Sequence, residues 1–147
     1  MVIIKVTEIN QNVWAELCTS LWPHDTVKYF IHARNNGDFQ NEYLYYINDE
    51  AVAFMSLSLR NDYVEGTSSS PVGYLEGIFV KPEYRKRNVA RELVEYAKSW
   101  SLERGCIEFA SDCLIENIDS RNFHNKIGFK EANTIVCFVM DISGGVT

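Results

Sequence analysis

The stretch YLEGIFVKPEYRKRNVARELVEYAKSW, Tyr74 to Trp100, determines how the rest of the chain is interpreted. It begins as an apolar strand, which Lys81-Pro82 ends. Apolar residues then recur at the 3.6-residue period of a helix, which the sequence predicts from about Asn88 to Arg104. The basic run Arg85-Lys86-Arg87 lies between the two. A strand therefore passes into a helix through the densest basic cluster of the chain.

This basic cluster is an exception in an acidic chain. Among 147 residues, Lys and Arg number 14 and Asp and Glu number 20, which gives a net charge of -6 at pH 7. That balance argues against general nucleic-acid binding and permits a cationic small-molecule partner. No leader-like segment or membrane-length apolar run is present in the sequence, so a cytoplasmic protein is expected. The length predicts a single domain over residues 1–147.

The four cysteines are scattered without a C-x-x-C pair, at Cys18, Cys106, Cys113 and Cys137. This spacing indicates neither a zinc site nor a disulfide framework, and no metal is expected. Free thiols in core positions are the simplest interpretation.

Periodicity and turn residues predict the remaining elements. In chain order these are a helix between Asn12 and Pro23, a short helix over Val27–Arg34, a hairpin formed by YLYYI and AVAFMSLSL, a strand Val72–Val80, the helix already described, a strand Cys106–Ser111, a short helix Ser120–Lys126 and a last strand Thr134–Ile142. The order predicts an α/β (α+β) protein built on one mixed, largely antiparallel sheet flanked by helices.

The junction between strand and helix suits a phosphate group. A helix start offers unpaired amide groups and the positive end of the helix dipole, and basic side chains screen the remaining charge. On the junction alone, a solvated charge run on a surface turn explains the same residues equally well.

The junction resembles the acetyl-CoA motif of the GNAT acetyltransferases, Q/R-x-x-G-x-G/A. Arg85 and Ala90 match its ends, and Asn88 replaces the usual Gly. Asn is the non-Gly residue that best tolerates a left-handed backbone. The resemblance implies the GNAT fold with acetyl-CoA as cosubstrate, its pyrophosphate held by Arg85, Lys86, Arg87, Asn88, Val89 and Ala90.

A second segment, Glu116 to Phe129, looks like the closing signature of the same family. Asn117 falls where GNAT enzymes often bond the pantetheine arm. His124 occupies the position where many members carry a Tyr that protonates the departing thiolate.

Gly77 lies inside the strand that precedes the junction, and a glycine there often marks a bulge or a close backbone approach. In GNAT folds this strand splays from its neighbour and the gap admits the pantetheine arm. The resemblance then implies that amides of Ile78, Phe79 and Val80 bond the arm and polarise the thioester carbonyl.

Three motifs, LWPHD, RNDYVEGTSSSPVGYLEGIFV and EFASD, are similar to the bacterial aminoglycoside 6'-N-acetyltransferases, with similarity from about Leu21 to Phe138. The resemblance implies acetyl transfer to the 6'-amino group of an aminoglycoside antibiotic, and hence resistance. We expect direct transfer in a ternary complex, because Cys106 and Cys113 have no activating His nearby in sequence.

Acetyl transfer requires a neutral amine, whereas an alkyl ammonium has a pKa of about 10.4. Glu76 is a carboxylate between apolar neighbours of a strand, and we predict that it takes the proton directly or through water. An exposed strand face is the structural alternative. Asp112, at the end of EFASD, is the second candidate catalytic residue.

An aminoglycoside carries several ammonium groups and apolar ring faces, so its site should combine carboxylates with an aromatic wall. The predicted substrate-binding residues are Trp22, Tyr63, Glu65, Glu76, Asp112 and Glu116. Core packing explains Trp22 equally well.

Two alternatives stay open at the level of sequence. A GNAT enzyme acting on a polyamine or a protein amine would share the CoA motif, and a non-catalytic acyl-CoA-binding module would share the fold.

Many of the resembling enzymes are homodimers. The aromatic hairpin and the apolar last strand favour a two-fold dimer, in which Tyr63 reaches the partner's acceptor cleft.

Overall fold

The computed structural model describes residues 2–144 and contains one five-stranded sheet, in the order β1-β2-β3-β4-β5. The first four strands pair antiparallel, and β5 runs parallel to β4. The strands are β1 Val2–Lys5, β2 Glu42–Ile47, β3 Glu50–Arg60, β4 Val72–Val80 and β5 Phe109–Ser111. The helices are α1 Gln11–Leu21, α2 Val27–Asn35, α3 Val89–Glu103 and α4 Ile118–Ile127, with a 3-10 turn over Pro82–Tyr84. The predicted mixed, largely antiparallel sheet flanked by helices is confirmed.

The helix boundaries follow local signals. The Thr26 side chain caps α2 by accepting a hydrogen bond from the Tyr29 N–H at 3.1 Å. Asn88 precedes α3 in the left-handed conformation, with φ of 66°. Gly105 follows the end of α3 with φ of 83°, a conformation that costs a glycine little.

The sheet separates two core clusters because side chains alternate between its faces. One cluster packs α3 on the sheet and includes Tyr43, Tyr45, Met55, Leu75, Leu93 and Trp100. The other packs α1 and α2 on the opposite face and includes Trp14, Cys18, Phe30, Leu44 and Phe54. The aromatic residues Tyr43, Tyr45 and Phe54 of the hairpin are thus buried within the chain. Because they are covered within one chain, these aromatic residues do not support the predicted dimer.

A β-bulge lies in the centre of β4. Ser56 pairs with Gly77, but the next residue, Leu57, pairs with Leu75, which leaves Glu76 as the extra residue. The bulge shifts the alternation, so that Leu75 and Ile78 both pack toward α3. Glu76 is displaced out of the regular pairing. The bulge that Gly77 suggested is present.

The C-terminal part of the sequence differs most from its prediction. Within residues 2–144, the stretch 134–142 forms no strand, and its apolar side chains are exposed, Phe138 by 90% and Val139 by 98%. The strand predicted over Cys106–Ser111 is confined to Phe109–Ser111. The edge strand β1 was not predicted.

The four thiols, all expected in core positions, divide into two buried and two exposed. Cys18 and Cys106 are buried, as the core interpretation requires, whereas Cys113 and Cys137 are exposed. Burial raises the pKa of the Cys18 and Cys106 thiols.

Among residues 2–144, no helix is long and apolar enough to cross a membrane. No cluster of His, Cys, Asp or Glu suited to a metal ion occurs in the same range.

Candidate active site

The strands β4 and β5 separate after a short parallel contact. Within residues 2–144, their pairing covers Gly73 to Leu75 on β4, and β4 from Glu76 onward has no strand partner on that side. The Ser111 hydroxyl, at the end of β5, donates to the Leu75 carbonyl at 3.1 Å. A cleft between the two strands therefore opens beside Glu76.

The free edge of β4 presents amide groups to this cleft. The Lys81 N–H donates to the Val52 carbonyl of β3 at 2.9 Å. Because neighbouring residues of a strand direct their amides to opposite sides, Phe79 also bonds toward β3, whereas Ile78 and Val80 face the cleft. Of the three amides proposed for the pantetheine arm, those of Ile78 and Val80 are therefore available.

The turn that follows β4 is a cradle of unpaired donors. Lys86 and Asn88 adopt left-handed conformations, with φ of 62° and 66°. Within residues 2–144, the N–H groups of residues 86–91 donate to no backbone or side-chain acceptor. Successive free amides at a helix start form an anion-binding concavity.

The basic side chains of the turn have different surroundings. Arg85 Nε donates to the Val80 carbonyl at 2.8 Å, which ties this residue back to β4. The Arg87 guanidinium lies 5.4 Å from the centre of the Tyr84 ring. Tyr84 and Lys81 both bond to Glu50, at 2.9 and 3.0 Å, which anchors the turn to the hairpin. The unpaired amides and the flanking cations fit a diphosphate group such as that of coenzyme A.

The helix α4 lines the other side of the cleft. Asn117 caps it, its Oδ1 accepting from the Ser120 N–H at 3.1 Å. His124 Nε2 lies 2.8 Å from the Ser111 hydroxyl, and Nδ1 lies 2.7 Å from the Ser120 carbonyl. Because a carbonyl only accepts, Nδ1 carries a proton. Both ring nitrogens of His124 are therefore engaged with the protein.

Glu76 projects from the bulge among polar side chains of β3. Its Oε2 accepts from the Ser58 hydroxyl at 2.5 Å, and the Arg60 guanidinium lies 2.9 Å from each of its oxygens. The Glu76 side chain is 33% exposed. It is thus an accessible carboxylate at the mouth of the cleft, with fixed neighbours.

Tyr74, which lies two residues before Glu76 on β4, bonds to Asp112. The Tyr74 hydroxyl donates a hydrogen bond to Asp112 Oδ2. Burial and this hydrogen bond raise the pKa of Tyr74, so its hydroxyl stays protonated and acts as the donor. Asp112 is therefore held by a buried tyrosine that lies two residues before Glu76 on β4.

Trp22 follows α1 and packs beside the bulge. Its ring occupies the space over Gly77, and it also contacts Phe30, Phe39 and Phe54. Trp22 is partly exposed, so it combines the core role with a place next to Glu76.

The other predicted substrate residues lie on loops. Tyr63 is 74% exposed on the loop after β3. Glu65, on the same loop, accepts from Asn133 Nδ2 at 2.7 Å and fastens the C-terminal segment to this loop. Glu116 is exposed near the start of α4. Trp22 and Glu76 lie at the bulge, and Asp112 bonds to Tyr74 two residues before it. The roles of all three stay predictions.

Residues 7–129 match the acetyltransferase (GNAT) family. This chain belongs to the GNAT acetyltransferase family. The acetyltransferase is also 38% identical over 141 residues to an aminoglycoside N(6')-acetyltransferase type 1 of Acinetobacter genomosp. 13, which covers 94% of this chain and 97% of that protein.

This acetyltransferase is also similar to solved structures of aminoglycoside 6'-N-acetyltransferases. The apo crystal structure of aminoglycoside antibiotic 6'-N-acetyltransferase AAC(6')-IG from Acinetobacter haemolyticus matches with a TM-score of 0.91 and 34% identity, over 97% of this chain and 100% of that chain. AAC(6')-Iy in complex with the bisubstrate analog CoA-S-monomethyl-acetylneamine matches with a TM-score of 0.88 and 31% identity, over 95% and 97% of the two chains.

The sequence interpretation of this acetyltransferase missed several polar residues of the site. Ser58 and Arg60 of β3 are separated by two positions, which places both on the face of Tyr74 and Glu76. A missed carboxylate, Glu42, lies deeper on the same face. Alternation along the apolar run of β3 was the available signal for Ser58 and Arg60.

Glu42 is almost fully buried, with 1% exposure. It accepts hydrogen bonds from Trp14 Nε1 at 3.1 Å and from the Ser56 hydroxyl at 2.7 Å. Burial raises the pKa of Glu42 to about 8, because an apolar environment disfavours the charged form. Glu42 therefore joins α1 to the residue of β3 that pairs with Gly77.

Proposed function

We propose that this enzyme transfers the acetyl group of acetyl-CoA to the 6'-amino group of aminoglycoside antibiotics and thereby confers resistance to them. The observation that carries the proposal is the position of Glu76. The bulge places this accessible carboxylate at the mouth of the β4–β5 cleft, next to the aromatic ring of Trp22. The sequence and structural relatives with aminoglycoside acetyltransferase activity in their names support the choice of acceptor.

Acetyl-CoA, when bound, supplies an activated thioester. The unpaired amides of residues 86–91 would hold its pyrophosphate, with Lys86 and Arg87 screening the charge. Ile78 and Val80 would bond the pantetheine arm along the free edge of β4, and the Asn117 side chain would do so from α4. A backbone donor aimed at the thioester carbonyl contributes about 2.7–4 kcal/mol to stabilising the developing oxyanion.

The acceptor amine reaches the enzyme mostly as an ammonium, because its pKa lies near 10 whereas the surrounding pH is near 7. Glu76 attracts this cation and takes its proton, directly or through a water molecule. Asp112 and Glu116 bind further ammonium groups, and Trp22 contacts a ring face of the sugar. Tyr63 and Glu65 extend the acceptor site along the loop after β3.

Transfer is direct, in a ternary complex without an acetyl-enzyme. Burial raises the pKa of Cys106, which disfavours the nucleophilic thiolate. In the described part of the chain, no histidine forms a hydrogen bond with a cysteine sulfur. Reaction in the cytoplasm, where acetyl-CoA is available, is part of this proposal.

An acceptor screen tests the proposed function. Thiol release from acetyl-CoA is measured with aminoglycosides that carry a 6'-amine and with matched compounds that carry a 6'-hydroxyl. Release that requires the 6'-amine is expected. Release with spermidine or a peptide but not with aminoglycosides would favour a polyamine or protein acceptor. Binding of acetyl-CoA without any release would favour a non-catalytic module.

A homodimer is the second part of the proposal. The segment 134–142 exposes a row of apolar side chains, including Val136, Phe138 and Met140. Exposed apolar segments of this length often mark a contact surface for another chain. Two-fold pairing would bury them and bring the exposed Tyr63 of one chain toward the acceptor cleft of the other.

A further inference from the structure

Arg60 is a cation of the proposed acceptor site and contacts both Glu76 and Tyr74. Its Nη2 lies 2.9 Å from Oε1 and 2.9 Å from Oε2 of Glu76, and its Nε lies 3.2 Å from Oε2. Its guanidinium carbon lies 3.5 Å from the centre of the Tyr74 ring. Tyr74 in turn donates to Asp112. Arg60 and Tyr74 together therefore connect the two carboxylates, Glu76 and Asp112.

The contacts divide the two oxygens of Glu76 unequally. Oε2 accepts from the Ser58 hydroxyl, from Arg60 Nε and from Arg60 Nη2. Among the described residues, 2–144, Oε1 accepts only from Arg60 Nη2. Since each carboxylate oxygen offers about two lone-pair sites, Oε2 is saturated and Oε1 keeps one site for a further donor. The carboxylate thus presents one defined oxygen to the cleft.

The stacking of Arg60 on Tyr74 explains why a guanidinium is suited to holding the Glu76 carboxylate in one orientation. The planar fork bonds a carboxylate through two nitrogens while its face rests on an aromatic ring, which an ammonium cannot do. The side chains of Arg60 and Glu76 are 41% and 33% exposed, so solvent screens the ion pair and its effect on stability is small. Geometry, rather than stabilisation of the fold, is what this pair contributes.

Arg60 also sets the charge of the acceptor site. With Arg60 present, the two carboxylates Glu76 and Asp112 are partly neutralised. Without it, both carboxylates would attract a polycation in any orientation.

We propose that Arg60 is a positioning residue for acetyl transfer, which fixes the Glu76 carboxylate so that Oε1 alone meets the acceptor amine. The inference rests on the proposed role of Glu76 toward that amine. Loss of Arg60 removes the alignment and does not weaken the attraction of the two carboxylates for the cationic substrate. It therefore lowers kcat without raising KM for the aminoglycoside.

The test compares Arg60→Ala and Arg60→Lys with the wild type in steady-state assays. A misaligned reacting group costs up to about 100-fold in rate, so kcat of Arg60→Ala should fall about 10- to 100-fold while KM for the aminoglycoside stays constant or falls. The kcat of Arg60→Lys should lie between those of Arg60→Ala and the wild type. Methylguanidinium at sub-denaturing concentration should restore part of the kcat of Arg60→Ala, and methylammonium should not.

Arg104→Ala is the matched control, because the Arg104 guanidinium lies 4.2 Å from the Trp100 ring at the far end of α3, outside the site. Its kcat should stay at the wild-type value. If Arg60→Ala does not fold, Arg60→Lys carries the test through a several-fold fall in kcat. A kcat within twofold of wild type, or a fall that methylguanidinium does not reverse, would overturn the role of Arg60.

A double-mutant cycle separates this inference from the proposed function. In a Glu76→Gln background, Arg60→Ala should have little further effect, because the two residues act as a unit. Full additivity would overturn the inference. If Glu76→Gln itself retains turnover, the proposed role of Glu76 fails. If Glu76→Gln loses turnover and Arg60→Ala does not, only the role of Arg60 fails.

Discussion

The indole of Trp22 occupies the space that a side chain at Gly77 would need. A Cβ at Gly77 would lie 2.6 Å from Trp22 Cζ2 and 2.9 Å from Leu21 Cδ2, closer than real Cβ contacts allow. The glycine follows the bulged residue Glu76, so its missing side chain brings an aromatic ring next to the carboxylate. The end of α1 is positioned against the site strand by this contact.

Gly77→Ala should therefore displace Trp22. Overpacking of this kind costs about 1–3 kcal/mol in the free energy of unfolding, and the moved ring should also weaken acceptor binding. Thermal unfolding, tryptophan fluorescence and KM for the aminoglycoside measure the change. Combining Gly77→Ala with Trp22→Leu should recover stability but not KM. A Gly77→Ala enzyme with unchanged stability and KM would contradict this relationship.

Glu76→Gln keeps the shape of the side chain but cannot take the amine proton. Turnover should fall roughly 10²–10⁴-fold, while binding of acetyl-CoA, measured by calorimetry, stays unchanged. A drop of only a few-fold would mean that the proton leaves by another route. Asp112→Asn is then the next variant to measure.

Val89→Pro tests the amide cradle. Val89 is the first residue of α3, and its N–H has no acceptor within residues 2–144. Proline there deletes this donor and distorts the turn at the left-handed Asn88. Loss of a hydrogen bond to a charged group costs about 1.5–3 kcal/mol, so KM for acetyl-CoA should rise about tenfold or more.

Arg87→Ala is the comparison for Val89→Pro. The Arg87 guanidinium lies near Tyr84, and its proposed role is to screen charge, so this variant should raise KM for acetyl-CoA mildly. If a folded Val89→Pro enzyme kept its KM for acetyl-CoA, the amides would not be the binding groups.

Glu42 should make stability depend on pH. Its pKa is about 8 in the folded protein and near the ordinary 4.5 in the unfolded chain, so the folded state binds the extra proton between these values. The stabilisation is complete below about pH 4.5 and is lost as pH rises toward 8, with a slope of at most about 1.4 kcal/mol per pH unit.

Glu42→Gln should remove this slope, because an amide does not titrate and can replace the protonated carboxyl in its hydrogen bonds. Urea unfolding of both proteins between pH 5 and 8 measures the difference. Parallel stability curves for the two proteins would show that Glu42 does not titrate in this range.

Assembly is tested by light scattering and by complementation. The scattering mass at micromolar concentration should be about twice that of one chain. If Tyr63 completes the partner's site, mixing inactive Glu76→Gln chains with inactive Tyr63→Ala chains should restore some activity. Phe138→Asp, which places a charge in the exposed apolar segment, should shift the protein toward monomer. A fully active monomer would remove the dimer and leave the catalytic proposal standing.

The sequence by itself determined the elements that local signals specify. The period of α3, the ends of β4 at Val72 and Val80, and the left-handed Asn88 before the helix depend on neighbouring residues only, and each was predictable. The family was also recognisable, because its motifs are contiguous stretches around Glu76 and Asn117. The carboxylate at Glu76 stood out as a charge within an apolar strand.

Only the tertiary structure decided which groups surround that carboxylate. The contacts of Glu76 with Ser58 and Arg60 depend on the register between β3 and β4; Gly77 suggested a bulge, but the sequence did not specify which residues the bulge brings together. The burial of Glu42 depends on α1 packing over the sheet. The segment 134–142 has the apolar, β-branched composition of a strand, but a strand also requires a partner with free backbone groups, and within residues 2–144 this segment pairs with none.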